Sequence, residues 1–154
     1  MLMPMILGCA TVFISMGIQV FVVVIMIRYV LNIMNSKDRD THTISFDTMV
    51  ISQVLLILFA GHLVQIAIWA ELFMILDEFD DFLTAFYHSA VNFASLGYGD
   101  IVMGERWRLL GAIEASNGVL MFGLSAGTLL SVMSALFSHH RKSGPTIKGR
   151  AKSD

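Results

Sequence analysis

The chain has 154 residues, of which 56% are hydrophobic and 14% charged. Soluble domains carry about 25% charged residues, so a water-soluble core of this size could not hide so much apolar surface. The formal net charge of −2 says little as a total, whereas the placement of charges along the chain is informative.

Leu2 to Ile27 contains no Asp, Glu, Lys or Arg, and about 20 mostly apolar residues suffice to span a bilayer. The run lacks a basic leading segment and is too long for a signal peptide, so residues 1–35 are read as a retained transmembrane helix. Its only charge is Arg28. A voltage sensor needs a ladder of arginines, so this helix is expected to brace its neighbours on the lipid side. Cys9 is the single cysteine and cannot form an internal disulfide. Residues 36–48, with Lys37 and Arg39, read as a loop.

The second run, Met49 to Ala70, is also free of charge but carries Gln53, His62 and Gln65. It gives a helix over 49–76, with His62 and Gln65 read as hydrogen-bonding partners of other helices. Four acids follow, Asp77, Glu78, Asp80 and Asp81. An acidic pair suits the positive end of a helix, and "FLTAFYHSAVNFA", residues 82–94, continues it. A helix over 80–94 is roughly 20 Å long, too short to cross, and reads as re-entrant. A third run, Leu109 to Ser138, holds only Glu114 and gives a helix over 107–138. An intramembrane carboxylate is costly and is a functional candidate; a hydrogen bond behind the loop, or contact with external water, would also account for it. The tail, residues 139–154, holds Arg141, Lys142, Lys148, Arg150 and Lys152. The positive-inside rule puts that tail and the Lys37 loop in the cytoplasm and the N-terminus outside, in a plasma (inner) membrane. No metal or nucleophile constellation stands out, so neither an enzyme nor a cofactor is expected, and no nucleic-acid partner. No repeat of 20–50 residues is visible.

Between the short helix and the third run stands "SLGYGD", residues 95–100. Non-helical backbone at membrane depth is tolerated only if it is buried in protein or lines a water-filled path. An extended strand can aim successive carbonyls at one axis if its backbone alternates in handedness, and Gly97 and Gly99 reach positive φ at little steric cost. Ser95, Leu96, Gly97, Tyr98, Gly99 and Asp100 closely resemble the T-V-G-Y-G-D filter signature of the potassium channel superfamily, in which backbone carbonyls replace an ion's hydration shell. Residues 45–138 resemble the prokaryotic-type two-helix pore module of that superfamily, preceded here by one extra helix. The resemblance implies an all-α membrane protein conducting K+ passively. It also implies ion sites at the carbonyls of Ser95, Leu96, Gly97 and Tyr98, the innermost closed by the Ser95 hydroxyl.

Ser95 and Leu96 replace the family's usual threonine and valine, and Ala94 a threonine often found before them. These changes keep every carbonyl but can loosen discrimination between potassium and sodium. Val91 stands where some members carry a glutamate that supports the filter aspartate. Asp100 then needs another partner, for which Tyr87 and His88 are the candidates.

A filter of this kind needs four strands and each chain offers one, so a homotetramer is expected. Gly118, Gly123 and Gly127 are candidate gating hinges in the inner helix. Gly118 lies nearest the family's hinge position, while Gly123 to Gly127 is a small-xxx-small pattern that favours close helix packing. The four acids Asp77 to Asp81 are expected at the outer mouth. Only residues 139–154 follow the last span, so no cytoplasmic ligand-binding domain is expected. Membrane lipid, including anionic lipid at the basic tail, is an expected partner; His139 and His140 are adjacent and read as interfacial, with proton sensing at the inner gate as the lesser alternative. A non-selective cation channel and a non-conducting membrane subunit remain as alternatives.

Overall fold

The computed structural model describes residues 2–35 and 44–143. Four helices follow one another: α1 (Leu2–Asn35), α2 (Ile44–Ile75), α3 (Phe82–Phe93) and α4 (Arg108–Ser143). No β-sheet strand occurs among the described residues; residues 95–100 form a single irregular strand of backbone that pairs with no other. α1, α2 and α4 are long and apolar enough to cross a membrane, over Leu2–Ile33, Ser45–Ile75 and Arg108–Leu136. The architecture is therefore the expected all-helical one.

The boundaries differ from expectation in three places. α2 begins at Ile44, inside the segment read as a loop, with Asp47 in its first turn where an acid suits the helix dipole. α4 continues to Ser143, past the end of the apolar run; the next residues are Gly144 and Pro145, both poor helix formers. α3 begins at Phe82 and not at Asp80, because Asp81 has extended backbone (φ −138°, ψ 147°) and serves as the N-cap. Lys37, Arg39, Lys148, Arg150 and Lys152 lie outside the described residues, as do the side chains of His139, His140, Arg141 and Lys142.

α1 packs against both α2 and α4. Its inward face follows a helical stripe that includes Thr11, Ser15, Gln19, Met26 and Val30, all buried. Gly8 lets α1 approach α4, since a Cβ there would come within 2.7 Å of Ile113. Gly61 of α2 sits against Val22 in the same way. Apolar contacts among Met26, Val54, Leu58 and Val132 close the end of the bundle where α1 finishes and α2 starts. Trp69, Phe73, Phe93, Trp107 and Leu110 close the other end.

A buried polar chain joins all three long helices. Gln65 donates to Gln19 Oε1 (2.7 Å), Gln19 donates to Ser125 Oγ (2.9 Å), and Ser125 Oγ lies 3.0 Å from His62 Nε2. His62 and Gln65 thus bond to other helices. Tyr29 also bonds to Gln53. Such bonds average about 0.6 kcal/mol in membranes. Their value here is register, because each fixes how far one helix can slide past the next.

Candidate functional site

α3 is held at both ends by its own residues. At its start, Asp81 Oδ1 accepts from Thr84 N (2.9 Å) and Oδ2 from the Thr84 hydroxyl (2.6 Å). These bonds hold the exposed Asp81 carboxyl below the usual carboxylate range. At its end, Leu96 N donates to Val91 O (2.9 Å) and Ser95 N to Asn92 O (2.8 Å). That pair of bonds is a Schellman cap, which requires a left-handed residue at its penultimate position. The residue is Ser95, with φ 57°.

Ser95 therefore does two things. It ends the helix, and it begins an alternation: φ is 57° at Ser95, 62° at Gly97 and 72° at Gly99. Leu96 and Tyr98 do not share the positive sign. Every second residue from Ser95 to Gly99 is left-handed. A left-handed L-residue costs roughly 1–2 kcal/mol; at Ser95 the two cap hydrogen bonds offset this. The glycine requirement at 97 and 99 is one of backbone conformation alone, because an added Cβ would meet nothing within 4 Å at either. Residues 94–100 are all exposed in the single chain.

The Asp100 end of this segment is anchored twice. Asp100 Oδ2 accepts from the Tyr87 hydroxyl (2.7 Å) and its Oδ1 from Ile101 N (3.0 Å). The Tyr87 bond holds the Asp100 carboxyl down and raises the Tyr87 phenol. His88 Nδ1 lies 3.0 Å from Ile101 O, and its Nε2 lies 2.8 Å from Asn92 Nδ2. A carbonyl only accepts and an amide nitrogen only donates, so His88 is the neutral tautomer with its proton on Nδ1. Burial keeps the ring below the usual imidazole value.

Behind the strand, Glu114 and Asn117 of α4 are fully enclosed. Glu114 Oε1 is hydrogen-bonded to Ser89 Oγ, and Ser89 Oγ lies 2.9 Å from Ile66 O of α2. Of the alternatives for Glu114, contact with external water is therefore excluded. Asn117, one turn further along, was not foreseen; neither of its amide atoms has a hydrogen-bond partner among the described residues.

The hinge candidates separate. A Cβ on Gly118 would lie 1.9 Å from Phe93 O, so α4 touches the end of α3 there. Gly123 and Gly127 have nothing within 4 Å of an added Cβ, so no helix of the same chain packs closely on them. They line an apolar groove of about 480 Å³ with Ile27, Val30 and Leu31 of α1. The Ser95 hydroxyl lies 3.5 Å from Ala115 O, at the limit of hydrogen bonding.

The four acids are not equivalent. Glu78 Oε2 accepts from Gly104 N (2.6 Å), and Asp81 caps α3. Asp77 is left-handed (φ 55°) at the end of α2, where Glu78 N bonds Phe73 O and Asp77 N bonds Met74 O. Asp77 and Asp80 are exposed. No group of three or more His, Cys, Asp or Glu side chains able to hold a metal occurs among the described residues.

A family model described as "Ion channel" matches residues 51–135, more than half of the chain. The matched segment runs from α2 through α3 and the strand into α4. No curated protein and no solved structure matches.

Proposed function

Because the chain belongs to the ion channel family, we propose that it conducts potassium selectively through a pore built from four copies. The carbonyls of Ser95, Leu96, Gly97 and Tyr98 are the ion ligands, and Gly99 completes the alternation. The observation that carries this reading is the left-handed φ at Ser95, Gly97 and Gly99. A strand with that alternation offers a file of oxygens at one side, which is what a dehydrating cation needs. Four copies are supported by the exposure of residues 94–100: irregular backbone at membrane depth has to be covered by protein or face a water-filled path.

Asp100, held by Tyr87 beside the His88–Ile101 contact, sets the outer end of the strand. The passive flux needs no cofactor. The N-terminus lies outside and the basic tail lies in the cytoplasm, where it meets anionic lipid of the plasma (inner) membrane. Gly97→Ala and Gly99→Ala test the filter. Each places a methyl group on a left-handed residue at a cost of roughly 1–2 kcal/mol per strand. The variants assemble but lose selective conduction; wild-type selectivity in either one contradicts the assignment.

A further inference from the structure

We propose that Glu114 is an uncharged positioning residue, a protonated carboxylic acid that clamps α4 to α3 and α2 behind the filter strand. The argument is a count of protons. Two oxygen–oxygen contacts meet at Ser89: Oγ to Ile66 O, at 2.9 Å, and Oγ to Glu114 Oε1. Each contact needs one proton between its oxygens. A hydroxyl supplies one, and a backbone carbonyl supplies none. The second proton has to come from Glu114. Ser89 then donates to Ile66 O and accepts from the carboxylic acid.

An ionised Glu114 leaves one of the two contacts as a pair of lone-pair oxygens without a proton between them. Its other oxygen, Oε2, has no hydrogen-bond partner among the described residues. An enclosed carboxylate needs several donors; a neutral acid needs few. On α3, Asn92 lies against His88, which in turn reaches Ile101 O.

Charged groups do not compensate from any side. α1 contributes none between Leu2 and Ile27, and α2 none between Met49 and Ala70. Among the titratable groups of the facing helices, His62 of α2 bonds Ser125, His88 of α3 lies against Asn92, Tyr87 of α3 bonds Asp100, and Glu71 of α2 and Cys9 of α1 are exposed. The clamp sits one turn before Gly118, where α4 touches Phe93 O, two residues ahead of Ser95. Glu114 and Gly118 together fix the joint from which the filter strand starts. Loss of the proton at alkaline pH places a charge in that joint with no cation to meet it, and α3 is pushed from α4.

The proton assignment stands independently of the filter reading, and only its effect on flux rests on that reading. The test uses the full chain in liposomes. The infrared difference between wild type and Glu114→Gln at neutral pH contains the carbonyl stretch of a protonated carboxylic acid. Its absence overturns the assignment, whatever the flux. For the positioning role, Glu114→Gln keeps both a donor and an acceptor, so it retains wild-type selective flux and no longer loses it at alkaline pH. Glu114→Leu lowers selective flux roughly three- to tenfold, the range for one interhelical hydrogen bond in a membrane. Should Glu114→Leu misfold, Ser89→Ala carries the same expectation. Wild-type flux in Ser89→Ala, or an unchanged alkaline response in Glu114→Gln, overturns the clamp.

Discussion

A Cβ on Gly118 would lie 1.9 Å from the carbonyl oxygen of Phe93. The contact is with backbone at the end of a capped helix, so it cannot be relieved by rotating a side chain. Gly118→Ala therefore costs more than the roughly 1–3 kcal/mol of ordinary overpacking and separates α4 from α3. Gly123→Ala meets nothing in the same chain, so any loss of assembly there reports a neighbouring copy. Oligomer yield after mild detergent extraction compares the two. Normal assembly and flux in Gly118→Ala would mean that α4 does not seat on α3 as described.

The Tyr87–Asp100 bond gives a pH prediction. The bond holds the Asp100 carboxyl below the usual carboxylate value. A group with a depressed value contributes its interaction above the unperturbed value and loses it as pH falls through the depressed one. Wild-type flux thus withstands external acid to below the ordinary aspartate range, about 3.9. In Tyr87→Phe the midpoint of acid block moves up toward that range, while selectivity near neutral pH changes little. An unchanged midpoint in Tyr87→Phe would remove the phenol from any role in filter support.

The outer acids separate into structural and free ones. Glu78 and Asp81 are committed to Gly104 N and to Thr84, so Asp81→Asn and Glu78→Gln act through stability; loss of an N-cap costs about 1 kcal/mol. Asp77 and Asp80 are exposed and are the ones able to attract cations by their field. Neutralising both lowers conductance at low salt and much less at high salt, because screening acts over about 10 Å at 0.1 M. Equal loss at both salt concentrations, measured as single-channel conductance, argues against attraction of cations by this pair.

Much of this arrangement is legible in the sequence. The three spans follow from uninterrupted apolar runs, and α3 from its length and its acidic start. Gly97 and Gly99 announce left-handed backbone because glycine is where such backbone is cheap. Ser95 does not, since its conformation comes from the cap that ends α3 and not from its residue type. The far end of α4 is hidden for a different reason: the helix continues to Ser143, past the end of the apolar run, where hydropathy no longer marks it. Thr11, Ser15 and Gln19 stand four residues apart and mark the buried face of α1, a signal present in the sequence and overlooked. Glu114 is conspicuous as a lone intramembrane acid. Its partner Ser89 lies 25 residues earlier on another helix, a pairing that only the fold brings about. Gly118 reads as a hinge from its place in the helix, and only its neighbour Phe93 reveals a contact that excludes any side chain.

The central claim is that residues 95–99 discriminate between cations by backbone oxygens. Reversal potential across a planar bilayer holding the purified chain alone, with potassium on one side and sodium on the other at equal concentration, tests it most directly. The account predicts a potential displaced strongly from zero, with the potassium side negative, by about 60 mV for each tenfold preference. A potential near zero with robust current would identify a non-selective cation channel, and no current from well-assembled protein would identify a non-conducting subunit. Either result contradicts the claim.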